Sequence, residues 1–267
     1  MDKVNQQIAA YMRTHWPSEV KPEWQVTDAM YPEILEKIIK DFTVNATKSK
    51  QFFRICGQSG SGKTSQLLPA ASAFFASRSE RPILIAARLF VAYHPYSEQI
   101  KTAYGAEHLR TKTNEVSTIL MFLTLRALIS KGYDIILDVT LLDPLVEAAL
   151  MQMLTEQNYQ TRLAMVAVSK EISDAFIGKR KRKVAKSTAA EFWRATRHAL
   201  DFYAQNHPEM PVIIWNAWDP APVYDGRIGH PEAIKTIEKF WAITKLPQTP
   251  DTDALREAKI AYLTQPA

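Results

Sequence analysis

Apolar residues recur every three or four positions through VNQQIAAYMRTHW (4–16) and again through PEILEKIIKDFTVNA (32–46). That is the spacing of one helix face, so residues 1–50 read as a helical segment. PSEVKPEWQ (17–25) holds two prolines and reads as their connection. Beyond residue 50 the pattern changes. FFRIC (52–56), PILIA (82–86), DIILD (134–138), RLAMVAV (162–168) and PVIIW (211–215) are short, nearly continuous apolar runs. Such runs suit strands buried on both faces of a parallel sheet. Helix-length segments fall at 64–78, 97–131, 143–158 and 188–206. Strand and helix alternate, which predicts a three-layer α/β fold with right-handed crossovers. After Trp215 comes NAWDPAPVYDGRIGHPE, rich in turn residues, and PEAIKTIEKFWAI reads as a last helix. The tail from Leu246 opens Pro/Thr-rich and reads as loosely attached.

Composition narrows the class. The 267 residues are 46% hydrophobic, enough for one sizeable core. No run approaches the roughly 18 apolar residues of a membrane span. The amphipathic, acid-bearing N-terminus does not read as a secretory signal. Cys56 is the single cysteine, so no internal disulfide forms; the expected setting is reducing and cytoplasmic. The net charge of +5 suits an anionic substrate and argues only weakly for nucleic acid. The histidines show no metal-ligand spacing, so no zinc site is expected.

Gly57-Gln58-Ser59-Gly60-Ser61-Gly62-Lys63-Thr64 matches G-x-x-x-x-G-K-[ST], the Walker A phosphate loop, and Ser65 follows it. An apolar run precedes it and a helical pattern follows, as a phosphate loop requires. Glycines let backbone N–H groups curl around phosphates, and the helix N-terminus adds partial positive charge. Lys63 is expected to reach the β- and γ-phosphates of ATP, and the Thr64 hydroxyl to bind Mg²⁺. A second, magnesium-side carboxylate is needed at the end of a neighbouring strand; DIILD supplies Asp138. A competing role for Asp138 is to cap a loop, although Asp143, directly before Pro144, is the better helix cap.

These motifs and their order resemble the zeta toxin family, phosphate-loop kinases of toxin–antitoxin modules. GQSGSGKTS is followed by HPY at 94–96, KGYDIILDVT at 131–140 and RLAMVAVSK at 162–170. VIIWNAWDPAPVYDGR is similar to the family's fifth strand and following hairpin. The resemblance covers about residues 30–228. It implies a P-loop NTPase fold with five parallel strands in the order 2-3-1-4-5. It divides the chain into an N-terminal helical segment (1–50), a kinase domain (51–228) and a C-terminal helix and tail (229–267). It also implies ATP-dependent phosphorylation of UDP-N-acetylglucosamine, with His94 and Thr140 binding the acceptor. An antitoxin partner or a cis-inhibitory segment would fit the same picture.

The acceptor half departs from the pattern. The family's aspartate after the second strand, a general base, falls at Arg88, and an arginine takes no proton at neutral pH. A second acid falls at Phe122, and an arginine at Leu142. Asp138 stands where a glutamate is usual. Three explanations compete: a different small-molecule acceptor with Asp138 as the base, a nucleotide-binding module that has lost transfer and works by partner contact, or a shifted register. The last does not restore the base, because no Asp or Glu lies between Arg81 and Tyr96.

GKRKRKVAKS (178–187) carries six cations. In kinases of this architecture a lid here brings arginines to the transferring phosphate, and Arg180 and Arg182 are the candidates. The family's second lid arginine has no clean match, Lys186 being the nearest; the competing readings are a solvated helix face or a nucleic-acid strip continuing into WRATRH (193–198). Asn216 and Trp218 read as packing residues before adenine contacts, and Cys56 as a small buried residue before a nucleophile.

Overall fold

A computed structural model describes residues 3–15, 17–58, 60–140, 144–178, 186–247 and 250–265. In chain order the elements are α1 (Lys3–His15), α2 (Tyr31–Phe42), β1 (Gln51–Cys56), a π turn (Lys63–Leu67), α3 (Leu68–Ala76), β2 (Ile83–Ile85) and a 3₁₀ turn (Ala87–Tyr93). There follow α4 (Ser97–Tyr104), α5 (Ala106–Lys112), α6 (Asn114–Ser130), β3 (Ile135–Asp138), α7 (Pro144–Glu156) and β4 (Gln160–Val166). The chain closes with α8 (Lys170–Gly178), α9 (Lys186–Asn206), β5 (Pro211–Trp215), β6 (Tyr224–Arg227), α10 (Pro231–Trp241) and α11 (Thr252–Leu263). The chain divides into two compact units: Met1–Ala46 with Ile85–Tyr133, and Thr47–Leu84 with Asp134–Ala267.

The larger unit holds the sheet, in the order β2-β3-β1-β4-β5-β6. β1 pairs in parallel with both β3 and β4, and β4 pairs in parallel with β5. The order 2-3-1-4-5 is the expected one. A sixth strand, β6, extends it antiparallel to β5, because the turn-rich segment after Trp215 returns the chain along the same edge. β3 and nearly all of β1 and β5 are buried, which is why their sequences are continuously apolar. On one face Phe53 of β1 meets Phe74 and Phe75 of α3.

The C-terminal segment is not loose. Asp251 accepts N–H bonds from Asp253 and Ala254 at 3.1 Å and starts α11 with a side-chain cap. Leu255, Lys259 and Leu263, four residues apart, bury one face, and α11 packs on α3 and on the π turn. The Pro/Thr-rich stretch before it obscured this helix in the sequence.

The smaller unit is helical. The single helix expected over 97–131 is three, because Gly105 (φ +88°) takes a conformation that a β-carbon resists and stops α4. α1, α2 and the 3₁₀ turn pack on α6. α6 is buried almost continuously from Val116 to Leu125, as a helix that is apolar all round must be. Glu115 ties the N-terminal segment down: it accepts the Ser18 N–H at 2.6 Å and lies 3.6 Å from Arg13. No described helix is long and apolar enough to cross a membrane.

Candidate active site

β1 ends at Cys56, and the loop that follows is shaped by close approaches. A β-carbon on Gly57 (φ +122°) would stand 2.8 Å from the carbonyl oxygen of Val166, at the end of β4. One on Gly60 (φ +89°) would stand 2.7 Å from the carbonyl oxygen of Ser173 in α8. Both distances are below any real contact, so the loop's path between β4 and α8 requires glycine at both places. Gln58 is buried, and its amide donates to the carbonyl of Val168. Ser61 is buried as well, and the Gln58 Oε1 and Ser61 Oγ atoms are buried without a hydrogen-bond partner among the described residues. Ser59 lies outside the described residues.

The helix after the loop opens as a π turn. The Leu68 N–H bonds the Lys63 carbonyl, one residue wider than α-helical spacing. The cause sits two residues into α3. Pro69 has no N–H, and its ring would collide with the carbonyl four residues back; widening the turn relieves that collision. Lys63 Nζ donates to the carbonyls of Gly57 at 2.5 Å and Gln58 at 2.8 Å, so its ammonium lies over the loop. Thr64 and Ser65 face solvent, and Ser65 Oγ lies 3.3 Å from the Gly62 carbonyl.

Strand register brings the second acid in. β1 and β3 run in parallel with Ile55 opposite Asp138, which puts Asp138 at the loop's end of the sheet. Thr64 Oγ1 lies 3.4 Å from Asp138 Oδ2. A hydroxyl and a carboxylate this close, beside a phosphate loop, form a donor set that suits Mg²⁺, which takes few protein ligands and fills its shell with phosphate oxygens and water. Among the described residues no cluster of three or more His, Cys, Asp or Glu side chains could hold a metal. Thr140 follows two residues beyond Asp138, half-buried.

His94, Arg88 and Phe122 belong to the helical unit. His94 is buried, and its Nδ1 accepts the Tyr96 N–H at 3.2 Å. The ring proton is therefore assigned to Nε2, which is buried without a partner among the described residues. Burial lowers the imidazole to about 4, so it stays neutral at physiological pH. Arg88 is half-buried in the 3₁₀ turn, and Phe122 is buried in α6. Arg180, Arg182, Leu142 and Asp143 lie outside the described residues, and α9 starts at Lys186.

Cys56 is fully buried, and burial pushes its thiol up to about 12, which suits an inert core residue. Asn216 is fully buried too; its Oδ1 accepts the N–H groups of Trp218 at 2.9 Å and Asp219 at 2.7 Å. It shapes the turn after β5, and the Trp218 ring packs on Phe240.

Two polar features were hidden inside runs that read as apolar. Arg54, in the middle of FFRIC, is buried and pairs with Glu147 of α7 at 2.7 Å, and the Tyr203 hydroxyl of α9 donates to the same carboxylate at 2.5 Å. Asp134, at the other end of DIILD, is fully buried. It accepts from the Thr47 hydroxyl at 2.5 Å and from the backbone N–H groups of Ser49 and Gln51 at 2.9 Å. One aspartate of DIILD thus anchors the segment entering β1, while the other faces the phosphate loop. A charge within or at the end of an apolar run was the only signal for either.

Comparison with known proteins agrees with this architecture. The family model described as Zeta toxin matches residues 36–228. Among solved structures, a chain from the PezAT chromosomal toxin–antitoxin system of Streptococcus pneumoniae is similar, with 19% identity over 90% of this chain and 98% of that one, at a TM-score of 0.66. The native AvrRxo1-ORF1:AvrRxo1-ORF2 complex is similar at 14% identity over 99% of this chain and 88% of that one, with a TM-score of 0.52. The complex of the same pair with ATP gives 14% identity, 97% and 84% coverage and 0.53. At these identities the likeness shows the fold. No curated protein is similar enough to this chain to be matched to it.

Proposed function

Because the chain belongs to the zeta toxin family, we propose that it is an ATP- and Mg²⁺-dependent phosphotransferase whose acceptor site has been rewritten. The observation that carries this reading is the 3.4 Å approach of Thr64 Oγ1 to Asp138 Oδ2 beside a glycine loop with Lys63 folded over it. A similar solved complex contains ATP, which supports the choice of nucleotide. In this reading the loop N–H groups and Lys63 hold the β- and γ-phosphates, the lysine exchanging its two carbonyl contacts for phosphate oxygens. Thr64 and Asp138 hold Mg²⁺, which when bound neutralises charge on the phosphate oxygens. Arg180 and Arg182 are assigned to the lid and close on the γ-phosphate.

The acceptor hydroxyl must lose its proton. With Arg88 in the position that the resemblance gives to the general base, Asp138 serves either the metal or the acceptor hydroxyl. Phosphoryl transfer passes through a loose transition state, so positioning and charge outweigh base strength. His94 is assigned to the acceptor: its neutral imidazole offers an Nε2–H with no partner among the described residues, suited to an oxygen of the substrate. Thr140 serves the same molecule. UDP-N-acetylglucosamine is the acceptor to test first, and an antitoxin partner fits the toxin–antitoxin system to which a similar structure belongs. Arg88 itself favours a second reading, a nucleotide-binding module without transfer.

³¹P NMR of the protein with ATP, Mg²⁺ and UDP-N-acetylglucosamine, beside Arg88→Asp, separates these. A new phosphomonoester from the wild type supports the kinase reading, with Asp138 or another group in place of the missing base. Product from Arg88→Asp alone marks a silenced kinase. If ATP binds and neither protein gives product, UDP-N-acetylglucosamine is excluded as the acceptor.

A further inference from the structure

At the amino-terminal edge of the sheet, opposite the phosphate loop, lies a cavity of about 360 Å³. Its position follows from the strands: Gln51 and Gln160 open β1 and β4, whereas the phosphate loop follows the last residue of β1. Its floor is aromatic, built from Phe53 of β1 and Phe74 of α3 with their neighbours. Its rim is polar and positive. The guanidinium carbons of Arg78 and Arg162 each stand 5.2 Å from the centre of the same ring, Phe74.

Arg78 pairs with Glu80 at 3.6 Å, and Arg162 makes no ion pair among the described residues, so its guanidinium keeps donors for an anion. The amides complete the set. Gln51 Nε2 donates to Gln160 Oε1 at 2.9 Å, which leaves the Gln51 oxygen to accept and the Gln160 nitrogen to donate. Apolar cavities of roughly 300–1,000 Å³ with a few convergent polar groups are the usual form of small-molecule sites.

We propose that this cavity is a second ligand site, for a small anion with a flat apolar body: a carboxylate or phosphate carried on an aromatic ring. The anionic group meets the guanidinium forks of the rim, Arg162 first, since such forks match carboxylate and phosphate oxygens in pairs. The ring lies on the phenylalanine floor, and the glutamines bond its polar edge. None of the phosphate-loop residues lines the cavity, so the proposal stands or falls apart from the kinase reading.

The test is titration calorimetry of the full chain with benzoate and, separately, phenyl phosphate, with the phosphate loop saturated by a non-hydrolysable ATP analogue. Saturable one-to-one binding that survives the analogue is expected. Whichever probe binds tighter tells carboxylate from phosphate. Arg162→Ala and Arg78→Ala are each expected to weaken it at least about tenfold, ~1.4 kcal/mol. Arg162→Lys keeps the charge and loses the fork, and its expected loss is smaller. No saturation by either probe up to about 10 mM overturns the proposal, that being weaker than about 3 kcal/mol of binding. Displacement by the analogue, or indifference to both alanine variants when their urea midpoints match the wild type, overturns it as well.

Discussion

Removing the carboxylate of Glu147 tests how the sheet unit holds its helices. Arg54 and Glu147 are each no more than 2% exposed, 2.7 Å apart, and the Tyr203 hydroxyl joins them at 2.5 Å. Arg54 Nε and Nη1 are buried without a hydrogen-bond partner among the described residues, so Glu147 carries most of the compensation for the buried charge. The Glu147→Gln variant keeps the shape and deletes the counter-charge. Breaking one side of a buried pair costs about 3–5 kcal/mol, because it strands the partner's charge away from water. With a urea slope of about 3 kcal/mol per molar, that moves the midpoint down by roughly 1–1.7 M. Tyr203→Phe removes one bond to a charged acceptor and costs about 1.5–3 kcal/mol. Arg54→Met combined with Glu147→Leu removes both charges. It is expected near wild-type stability or above it, since attraction within a buried pair rarely exceeds the desolvation of both ions. Urea denaturation followed by far-UV circular dichroism reads all three. If Glu147→Gln loses under about 1 kcal/mol, or the double variant is as unstable as the sum of its parts, the buried charge is compensated in some other way and the reasoning fails.

Other expectations concern the loop and two buried bases. Gly60→Ala meets the Ser173 carbonyl and a strained φ worth about 1–2 kcal/mol, so ATP-analogue affinity is expected to fall about tenfold; unchanged fluorescence titration rejects the close approach of loop and α8. His94 sits near 4 when folded against 6.5 when unfolded. The unfolded chain binds the extra proton between those values, so this residue's contribution to stability drops as pH falls through that window. An NMR titration of the imidazole with a midpoint at or above 6 excludes this burial. Lys259 is buried over the Trp215 ring, with the Asp219 carbonyl 3.4 Å away, and burial lowers it to about 8 from 10.5. Below pH 8 its charge is a burden in the folded state, and its contribution to stability rises as pH climbs from 8 to 10.5. The Lys259→Met variant is therefore expected to gain stability at pH 7 and lose that rise; matching urea midpoints for the two proteins across pH 6–10 count against it.

Much of the chemistry was legible in one dimension. The eight residues from Gly57 to Thr64 need only local backbone freedom, a preceding strand and a following helix, and all three are local properties of the chain. Strand runs such as PVIIW announced themselves because burial on both faces leaves no polar alternation. The order 2-3-1-4-5 came by resemblance to a family; composition and periodicity do not carry strand order. The tertiary structure decided what depends on partners distant in sequence. DIILD offers two aspartates, and only the pairing of Ile55 with Asp138 puts one at the phosphate loop and leaves Asp134 to anchor the other end. Arg54 sits in an apolar strand because Glu147, 93 residues on, meets it there. Arg78 and Arg162 share one phenyl ring only because α3 lies over β1 and β4. α11, hidden behind prolines and threonines, is fixed by an aspartate cap and by a face that α3 buries. Local conformational preference is written in neighbouring residues. Electrostatic and packing partnership is written in the fold, since the free energy of burying a charge or a ring depends on what surrounds it.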